Sequence, residues 1–196
     1  MGVGIGSSWF CTRSFVLVTS SLVWSAVVVL GLKSSMDWEL TSGQSTLERQ
    51  FPLKSSPRPR LDVVLHSQCP CSLATIQNLI TWKWVRSHKP VIHLILTGPD
   101  SARSSIARRA KLVADAEIEH MDSKEVVTKY GALTSGQCYL FDKQGSLRFA
   151  GGITDRRGQD GASRGLDQIE RLLEFDLGYS TTPVFGCGLR DPEKKL

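Results

Sequence analysis

The chain has 196 residues, a length that allows one ordinary domain with appendages. It holds 24 lysines and arginines against 19 aspartates and glutamates, which gives a net charge of +5. The basic residues are scattered, and neither zinc-finger spacing nor an RNA-binding aromatic signature is found in the sequence. Nucleic acid is therefore not an expected partner.

An apolar run near the amino terminus predicts a membrane anchor. Residues 15–32 contain no charge, and a helix of that length nearly spans a hydrocarbon core of about 30 Å. The run is long for the apolar core of a signal peptide, and no small-x-small cleavage site follows it. We therefore predict an uncleaved transmembrane helix after a short segment of residues 1–14. A cleaved signal is the alternative.

The charges around this run give only a thin orientation signal. Arg13 precedes it, and Lys33 follows it with acidic residues close behind. An anchor at the amino terminus most often leads an exported domain, so we expect the globular part on the extracytoplasmic, periplasmic side of the membrane. Residues 33–60 are rich in Ser, Thr and Gln and end in alternating Pro and Arg, which predicts a flexible linker.

A pair of cysteines lies on a predicted strand-to-helix turn. Residues 61–65 are apolar and β-branched, which predicts a buried strand, and residues 73–86 have apolar side chains at helical spacing. Between them stands Cys69-Pro70-Cys71. Because proline is favoured at the first helical position, Cys69 is predicted as the N-cap residue. The unpaired N–H groups and the positive end of the helix then favour the thiolate of Cys69.

The remaining pattern alternates strands with helices and ends in a hairpin. It predicts strands at 91–96 and 116–121, helices at 102–114 and 122–130, a hairpin of 137–142 with 146–151, and a helix at 164–175. Asp122 and Glu125 have capping-box spacing, and Gly131 is placed to end that helix. Parallel crossover units followed by an antiparallel hairpin predict an α/β sandwich with a mixed central sheet.

This arrangement resembles the thioredoxin fold. The resemblance depends on the cysteines after the first strand, the helix at 102–114, and Tyr130-Gly131 leading to residues 139–145 (YLFDKQG). Within that fold, the chain is most similar to membrane-tethered thiol-disulfide reductases and alkyl-hydroperoxide-reductase-type (peroxiredoxin-type) proteins. The resemblance implies a three-layer thioredoxin-like domain at 61–190, followed by a tail at 191–196.

A narrower resemblance comes from four stretches taken together. They are residues 66–72 (HSQCPCS), 134–136 (TSG), 151–154 (GGIT) and 182–187 (TPVFGC). This combination is similar to little-characterised bacterial proteins labelled RedB, over about residues 61–189. That resemblance supplies a family without a settled activity.

The sequence departs from working thioredoxins in two ways. Their motif is Cys-x-x-Cys, whereas Pro70 alone separates Cys69 from Cys71, so that a disulfide between the two would distort the first helical turn. A strained disulfide is easily reduced, which points to a labile or oxidising couple. The resemblance also places Gly136 where the family has a cis-proline that shapes the groove for peptide substrates.

Cys187 is an alternative partner for either cysteine of the motif, because its flanking glycines permit a close approach of the backbone. Four cysteines in the predicted exported part, Cys69, Cys71, Cys138 and Cys187, allow three complete pairings, and the sequence does not choose among them. Cys138 lies on a predicted core strand and is expected to be a buried, inert thiol.

The first functional hypothesis is a membrane-anchored thiol-disulfide oxidoreductase without a cofactor. Cys69 is the attacking thiolate, Cys71 or Cys187 is the resolving partner, and His66 is an optional helper that supplies a proton or stabilises the thiolate. The substrate would be a thiol or disulfide of a protein or small molecule. For His66, a turn histidine bonded to the backbone is the alternative.

Two other functions stay open. Cys69 and Cys71, with His66 or Cys187, have the ligand chemistry of a soft-metal site, which suits copper. A scaffold domain of the thioredoxin fold, in which the cysteines form a fixed disulfide, is the non-catalytic reading.

Overall fold

The computed structural model describes residues 8–43, 55–82, 89–175 and 177–189, with the backbone alone at 8–15. The start of the predicted N-terminal segment, the middle of the predicted linker, the end of the predicted cysteine helix and the predicted tail lie outside these ranges. The chain divides into two units, residues 1–39 and 40–196.

The first unit contains all but the last residue of helix α1, Ser8–Leu40. Its portion from Val16 to Leu40 is the single helix in the described residues that is long and apolar enough to cross a membrane, with a mean hydropathy of 1.9. A signal sequence meets the same criterion. Helix α1 contains the predicted span of 15–32 and continues through 33–40, which were assigned to the linker, because no glycine or proline interrupts them.

The second unit is built on a sheet of six strands in the order β3-β2-β1-β4-β5-β6. The strands are β1 Arg60–His66, β2 Val91–Thr97, β3 Glu117–His120, β4 Gln137–Phe141, β5 Leu147–Gly152 and β6 Ser180–Thr181. Strands β1, β2 and β3 run parallel, β4 is antiparallel to both β1 and β5, and β6 is parallel to β5. The predicted mixed sheet is confirmed. Strand β6 is a short addition from the carboxyl-terminal stretch, for which no strand was predicted.

Helices cover both faces of this sheet. They are α2 Cys71–Thr81, α3 Ser105–Ala110, α4 Ser123–Tyr130 and α5 Arg164–Phe175. Apolar side chains of α2, α3 and α5 pack in one cluster with alternate residues of the strands, such as Leu61, Val63 and Leu65. The intervening Val64 belongs to a second cluster with Val126 and Tyr130 of α4. The predicted three-layer α/β sandwich is therefore confirmed.

The ends of the helices follow local chemistry that the sequence pattern indicates only in part. Asp122 caps α4 by accepting a hydrogen bond from the Lys124 N–H, and Gly131 ends the helix at φ 65°, as predicted. The prediction of one continuous helix at 102–114 is wrong. Extended backbone at Ser104 (ψ 161°) separates a short 3₁₀ turn from α3, and the Ser104 hydroxyl caps α3 by accepting from the Ala107 N–H.

Helix α2 ends at Thr81, because the backbone turns extended at Trp82 (ψ 116°). The predicted continuation over residues 83–86 lies outside the described residues. The indole N–H of Trp82 donates a hydrogen bond to Glu170 on α5, which links the two helices on the same face of the sheet.

Candidate functional site: a three-cysteine cluster

The Cys-Pro-Cys motif forms the tight turn between β1 and α2. Pro70 already has helical dihedral angles (φ −58°, ψ −31°), and the Ser72 N–H donates to the Cys69 carbonyl at 3.0 Å. The first residue within the α-helix is Cys71, and Pro70 takes the N-cap position predicted for Cys69. The prediction is thus off by one residue, because the turn opens with an i to i+3 hydrogen bond before the regular helical pattern begins.

A buried pair of serines holds this turn against the neighbouring loop. The Ser72 hydroxyl donates to the His66 carbonyl at 3.1 Å and lies 2.8 Å from the Ser135 hydroxyl. The Ser135 hydroxyl in turn accepts from the His66 N–H at 2.9 Å. These bonds fix the end of β1, the start of α2 and the loop of residues 134–136 in one arrangement.

Gly136 ends that loop in a conformation that favours glycine. Its φ is +89°, and its N–H donates to the Val64 carbonyl at 2.7 Å. No peptide bond in the described residues is cis. At the position where the thioredoxin resemblance expects a cis-proline, the chain therefore has a trans, left-handed glycine.

The carboxyl-terminal stretch of residues 180–189, here called the C-terminal segment, runs alongside this loop. The Ser135 N–H donates to the Cys187 carbonyl at 2.8 Å, and the Leu189 N–H donates to the Leu133 carbonyl at 3.0 Å. Thr134 and Gly188 form an antiparallel bridge between the two stretches. This pairing places Cys187 over the start of α2.

Three sulfur atoms meet there. The Sγ atoms of Cys69 and Cys187 are 2.7 Å apart, and those of Cys69, Cys71 and Cys187 all lie within 4.8 Å of one another. A disulfide bond is about 2.0 Å long, so Cys69 and Cys187 need to approach by less than about 1 Å to form one. Cys69 is 1% exposed and Cys71 4%, whereas Cys187 is partly exposed.

The hydrogen bonds in the cluster make the sulfurs unequal. A bond from the Cys71 thiol is the largest cause that lowers the pKa of Cys69 to about 4, and the thiol and N–H of Cys187 contribute further. The same Cys69–Cys71 bond raises the pKa of Cys71 far above its usual range. Burial, together with the neighbouring Cys69, raises the pKa of Cys187 to about 11. At neutral pH the cluster therefore holds one thiolate, Cys69, between two thiols.

His66 does not join the three sulfurs. Its Nδ1 accepts a hydrogen bond from the Gln68 N–H at 3.3 Å, and its Nε2 lies against Gly98 in the turn after β2. Among the described residues, the His, Cys, Asp and Glu side chains that gather at this point are the three cysteines alone. The geometry matches the reading of His66 as a turn histidine bonded to the backbone.

Cys138 is placed as the sequence predicts. It is fully buried on β4, and burial raises the pKa of its thiol far above the usual range. This thiol is protected from both titration and solvent.

The loop of residues 153–161 contributes groups that the sequence analysis did not identify. The Gly158 backbone N–H partly offsets the raised pKa of Cys71. The Arg157 guanidinium donates to the Gly186 carbonyl, and its charge lowers the pKa of Cys187. Asn78 on α2 holds this loop by donating to the Ile153 carbonyl at 2.6 Å and accepting from the Gly161 N–H at 2.7 Å. No spacing or motif in the sequence indicates that this loop reaches the cysteines.

A groove of about 560 Å³ lies beside the motif, lined by residues of α2, α3 and the loop of residues 153–161. Its lining includes Pro70, Leu73 and Arg109, but none of the three sulfur-bearing residues. The groove therefore borders the turn without opening onto the sulfurs.

Comparison with known proteins yields similarity at the level of the fold. No family model matches the chain, and no curated protein matches it. The structure of an uncharacterised conserved protein from Geobacillus kaustophilus is similar at 14% identity and a TM-score of 0.55, over 79% of this chain and 94% of that one. A hypothetical protein from Sinorhizobium meliloti is similar at 18% identity and a TM-score of 0.55, over 79% and 98%.

A weaker similarity is to the thioredoxin domain of a thiol-disulfide oxidoreductase from Bacteroides vulgatus. It has 11% identity and a TM-score of 0.41, over 71% of this chain and 99% of that one. At such identities, the two stronger similarities establish a shared fold and leave the activity to the chemistry of the site.

Proposed function

We propose that this chain is a thiol-disulfide oxidoreductase whose reactive centre is the three-cysteine cluster. The observation that carries the proposal is the meeting of Cys69, Cys71 and Cys187 within 4.8 Å at the start of α2. This position, at the carboxyl end of a central strand in a thioredoxin-like sheet, presents the sulfurs on a rigid scaffold. Cys69 and Cys187 form the redox couple, and Cys71 donates a hydrogen bond to the Cys69 thiolate.

The proposed reaction is a two-electron exchange. In the oxidised state, Cys69 and Cys187 form a disulfide, and two external thiols reduce it while they are themselves joined in a disulfide. The reduced site then holds the Cys69 thiolate and the Cys187 thiol. Stabilisation of that thiolate by Cys71 favours the reduced form, which makes the couple more oxidising.

Thiol trapping of the full-length protein under graded mixtures of reduced and oxidised glutathione tests this proposal. We expect Cys69 and Cys187 to convert together between thiol and disulfide, while Cys138 remains an unreactive thiol. A Cys69–Cys187 disulfide that persists under strong reductant would instead identify a scaffold domain with a fixed crosslink. Absence of any disulfide across the series would also reject the redox function.

The same sulfurs support a second candidate, a site for Cu(I). Three thiol ligands within 4.8 Å of one another suit a soft, low-coordinate metal ion, which would bind to the sulfurs of Cys69, Cys71 and Cys187. Stoichiometric Cu(I) uptake that is lost in Cys71→Ser, in a protein without disulfide-exchange activity, would favour this candidate. His66 is not needed in this ligand set.

The attachment to the membrane is part of the proposal. Helix α1 is the proposed single-pass anchor, the cysteine domain lies on the extracytoplasmic side, and the chain is related to the RedB-like bacterial proteins. An exported location also suits the chemistry, because disulfides persist in oxidising compartments. Retention of the protein in membranes after alkaline extraction, with a carboxyl-terminal reporter active only outside the cytoplasm, is the expected result. Release as a processed soluble form would identify a signal sequence.

A further inference from the structure

The three sulfurs differ in their access to solvent. Cys69 and Cys71 are buried, at 1% and 4% exposed. Cys187 is the partly exposed member of the cluster. An external sulfur that approaches the cluster from solvent therefore meets Cys187 first.

The backbone around Cys187 leaves little room for an extended polypeptide. Many proteins bind peptides by adding a strand to an unpaired backbone edge. Here the edge at residues 133–135 is already used by Cys187 and Leu189 of the C-terminal segment. Gly186 packs so closely on the Ser135 carbonyl that a side chain could not be accommodated. In the described part of the chain, Cys187 is thus the cysteine of the cluster that solvent reaches. The backbone edge beside it is already paired with the C-terminal segment.

Resting on the proposed thiol-disulfide chemistry, we infer that the external partner is a small thiol compound and that its mixed disulfide forms on Cys187. This assignment reverses the order that the motif alone suggests, in which Cys69 attacks the substrate. The C-terminal segment becomes the part of the protein that exchanges with the partner. Cys69 acts behind it as the internal thiolate.

The steps balance in atoms and electrons. In the oxidised site, an external thiolate attacks the Cys187 sulfur, the bond between Cys69 and Cys187 breaks, and Cys69 leaves as a thiolate. A second external thiolate attacks the partner's sulfur in the mixed disulfide, which releases the small disulfide and leaves Cys187 to take up a proton. Two external thiols are oxidised, and one protein disulfide is reduced. In the reverse direction, the Cys187 thiol passes its proton to the Cys69 thiolate 2.7 Å away, and the Cys187 sulfur attacks a small disulfide. This forms the mixed disulfide and releases one small thiolate, which takes the proton back from Cys69. The Cys69 thiolate then attacks the Cys187 sulfur, forms the protein disulfide and displaces the second small thiolate.

Glutathione disulfide serves as the probe in the reverse direction. The reduced full-length protein in detergent micelles is mixed with it and quenched with acid at timed intervals, and the adducts are located by peptide mass spectrometry. In the wild type we expect a transient adduct on Cys187 before the Cys69–Cys187 disulfide appears. In Cys69→Ser, which lacks the internal thiolate, the adduct on Cys187 should persist.

Two comparisons of rates test the assignment of the mixed disulfide to Cys187 and of the partner to small thiols. The adduct on Cys69 in Cys187→Ser should form at least tenfold more slowly than the adduct on Cys187 in Cys69→Ser, while Cys138→Ser should match the wild type. Insulin, a polypeptide disulfide, should be reduced at least tenfold more slowly per disulfide than glutathione disulfide.

The results that would contradict the role of Cys187 differ from those that would contradict the proposed thiol-disulfide function. A first adduct on Cys69 in the wild type, or equal rates with insulin and glutathione disulfide, would overturn the inference while Cys69 and Cys187 still cycle. This wild-type order of adducts does not depend on whether any variant folds. No adduct on any cysteine, together with no cycling in graded glutathione, would overturn the proposed function itself.

Discussion

Cys71 occupies an unusual place among the three cysteines. The sulfur of its neighbour in the motif, Cys69, lies 2.7 Å from that of Cys187, and a hydrogen bond from the Cys71 thiol is the largest cause that lowers the pKa of Cys69. A disulfide within the motif would distort the first turn of α2, and the structure offers Cys69 a partner that avoids this. Cys71 is then a positioning residue for the thiolate.

Substitution of Cys71 tests this role directly. In Cys71→Ala the donor is lost, so the charged form of Cys69 is disfavoured and its pKa should rise by about one unit or more. Cys71→Ser keeps an O–H donor and should stay closer to the wild-type value. Thiolate absorbance at 240 nm against pH, compared with Cys69→Ser to assign the titration, measures the shift. Equal pKa values in the Ala and Ser variants would contradict the donor role.

At the level of single residues, the sequence predicts which side chains are reactive better than it predicts the contacts that make them so. Pro70 correctly points to a helix start and to a lowered pKa of Cys69, but the largest cause is a hydrogen bond from Cys71 rather than the helix terminus alone. Buried His93 lies between two carboxylates, with Nδ1 3.3 Å from Asp62 and Nε2 3.1 Å from Glu119. Such contacts depend on side-chain rotamers, which the spacing of residues in the sequence does not reveal.

Among the elements, the C-terminal segment has the greatest influence on the site, and Gly186 is its tightest point. In Gly186→Ala, the new methyl group would overlap the Ser135 carbonyl, so the segment must shift and Cys187 would move off Cys69. The equilibrium constant for the Cys69–Cys187 disulfide in glutathione buffers should fall at least tenfold. Gly188→Ala is the matched control, because nothing lies within 4 Å of its added methyl group, and it should change that constant less than twofold. A similar fall in both variants would mean that the segment does not depend on this contact.

Helix α2 reaches the site a second time through Asn78. Asn78→Leu would leave the Ile153 carbonyl and the Gly161 N–H without their side-chain partner, which should cost about 1–3 kcal/mol of unfolding free energy. The loss should be accompanied by faster alkylation of Cys71, since the loop that holds Gly158 is released. Gln77 precedes Asn78 on α2, and its side chain accepts an exposed hydrogen bond from Arg109. As a control, Gln77→Leu should change the unfolding free energy by less than about 0.5 kcal/mol. Urea unfolding and timed iodoacetamide labelling measure the two effects.

The elements were predicted well where a local period or cap marks them. The strands, α4 with its Asp122 cap, and α5 follow from such signals. The break at Ser104 was missed because an apolar period runs across it, and a serine inside a helix differs from a serine cap only by its backbone dihedral angles.

For the molecule as a whole, the charge state of the reduced cluster links stability to pH. The pKa of Cys69 lies near 4 in the folded protein and near 9.0 without the fold, so its contribution to stability is complete above pH 9 and is lost as the pH falls towards 4. The raised pKa values of Cys71 and Cys187 oppose stability only above that window. The unfolding free energy of the reduced wild type should therefore rise from pH 5 to pH 8 more steeply than that of Cys69→Ser.

The difference in slope should approach about 1 kcal/mol per pH unit. Chemical unfolding at several pH values, in the presence of reductant, measures it, and the Cys138→Ser variant controls for the loss of a thiol as such. Parallel slopes for the wild type and Cys69→Ser would contradict a folded-state thiolate.

The sequence alone gave Cys187 as a candidate and could not select it. The selection arises from backbone pairing between residues 133–135 and 187–189, stretches that are distant in the chain and have no shared periodicity. Local patterns determine elements, whereas contacts of this kind are consequences of the assembled sheet.

The distance along the chain between Cys69 and Cys187 is 118 residues. Their disulfide would turn most of the domain into a covalent ring, and a ring of that size removes enough freedom from the unfolded chain to stabilise the fold by on the order of 3–5 kcal/mol. The oxidised unfolded chain should also be more compact, with a smaller dependence of its free energy on denaturant than the reduced form. The redox state of two sulfurs would thereby set how readily the entire domain opens to proteases, a lifetime control that needs no further binding site.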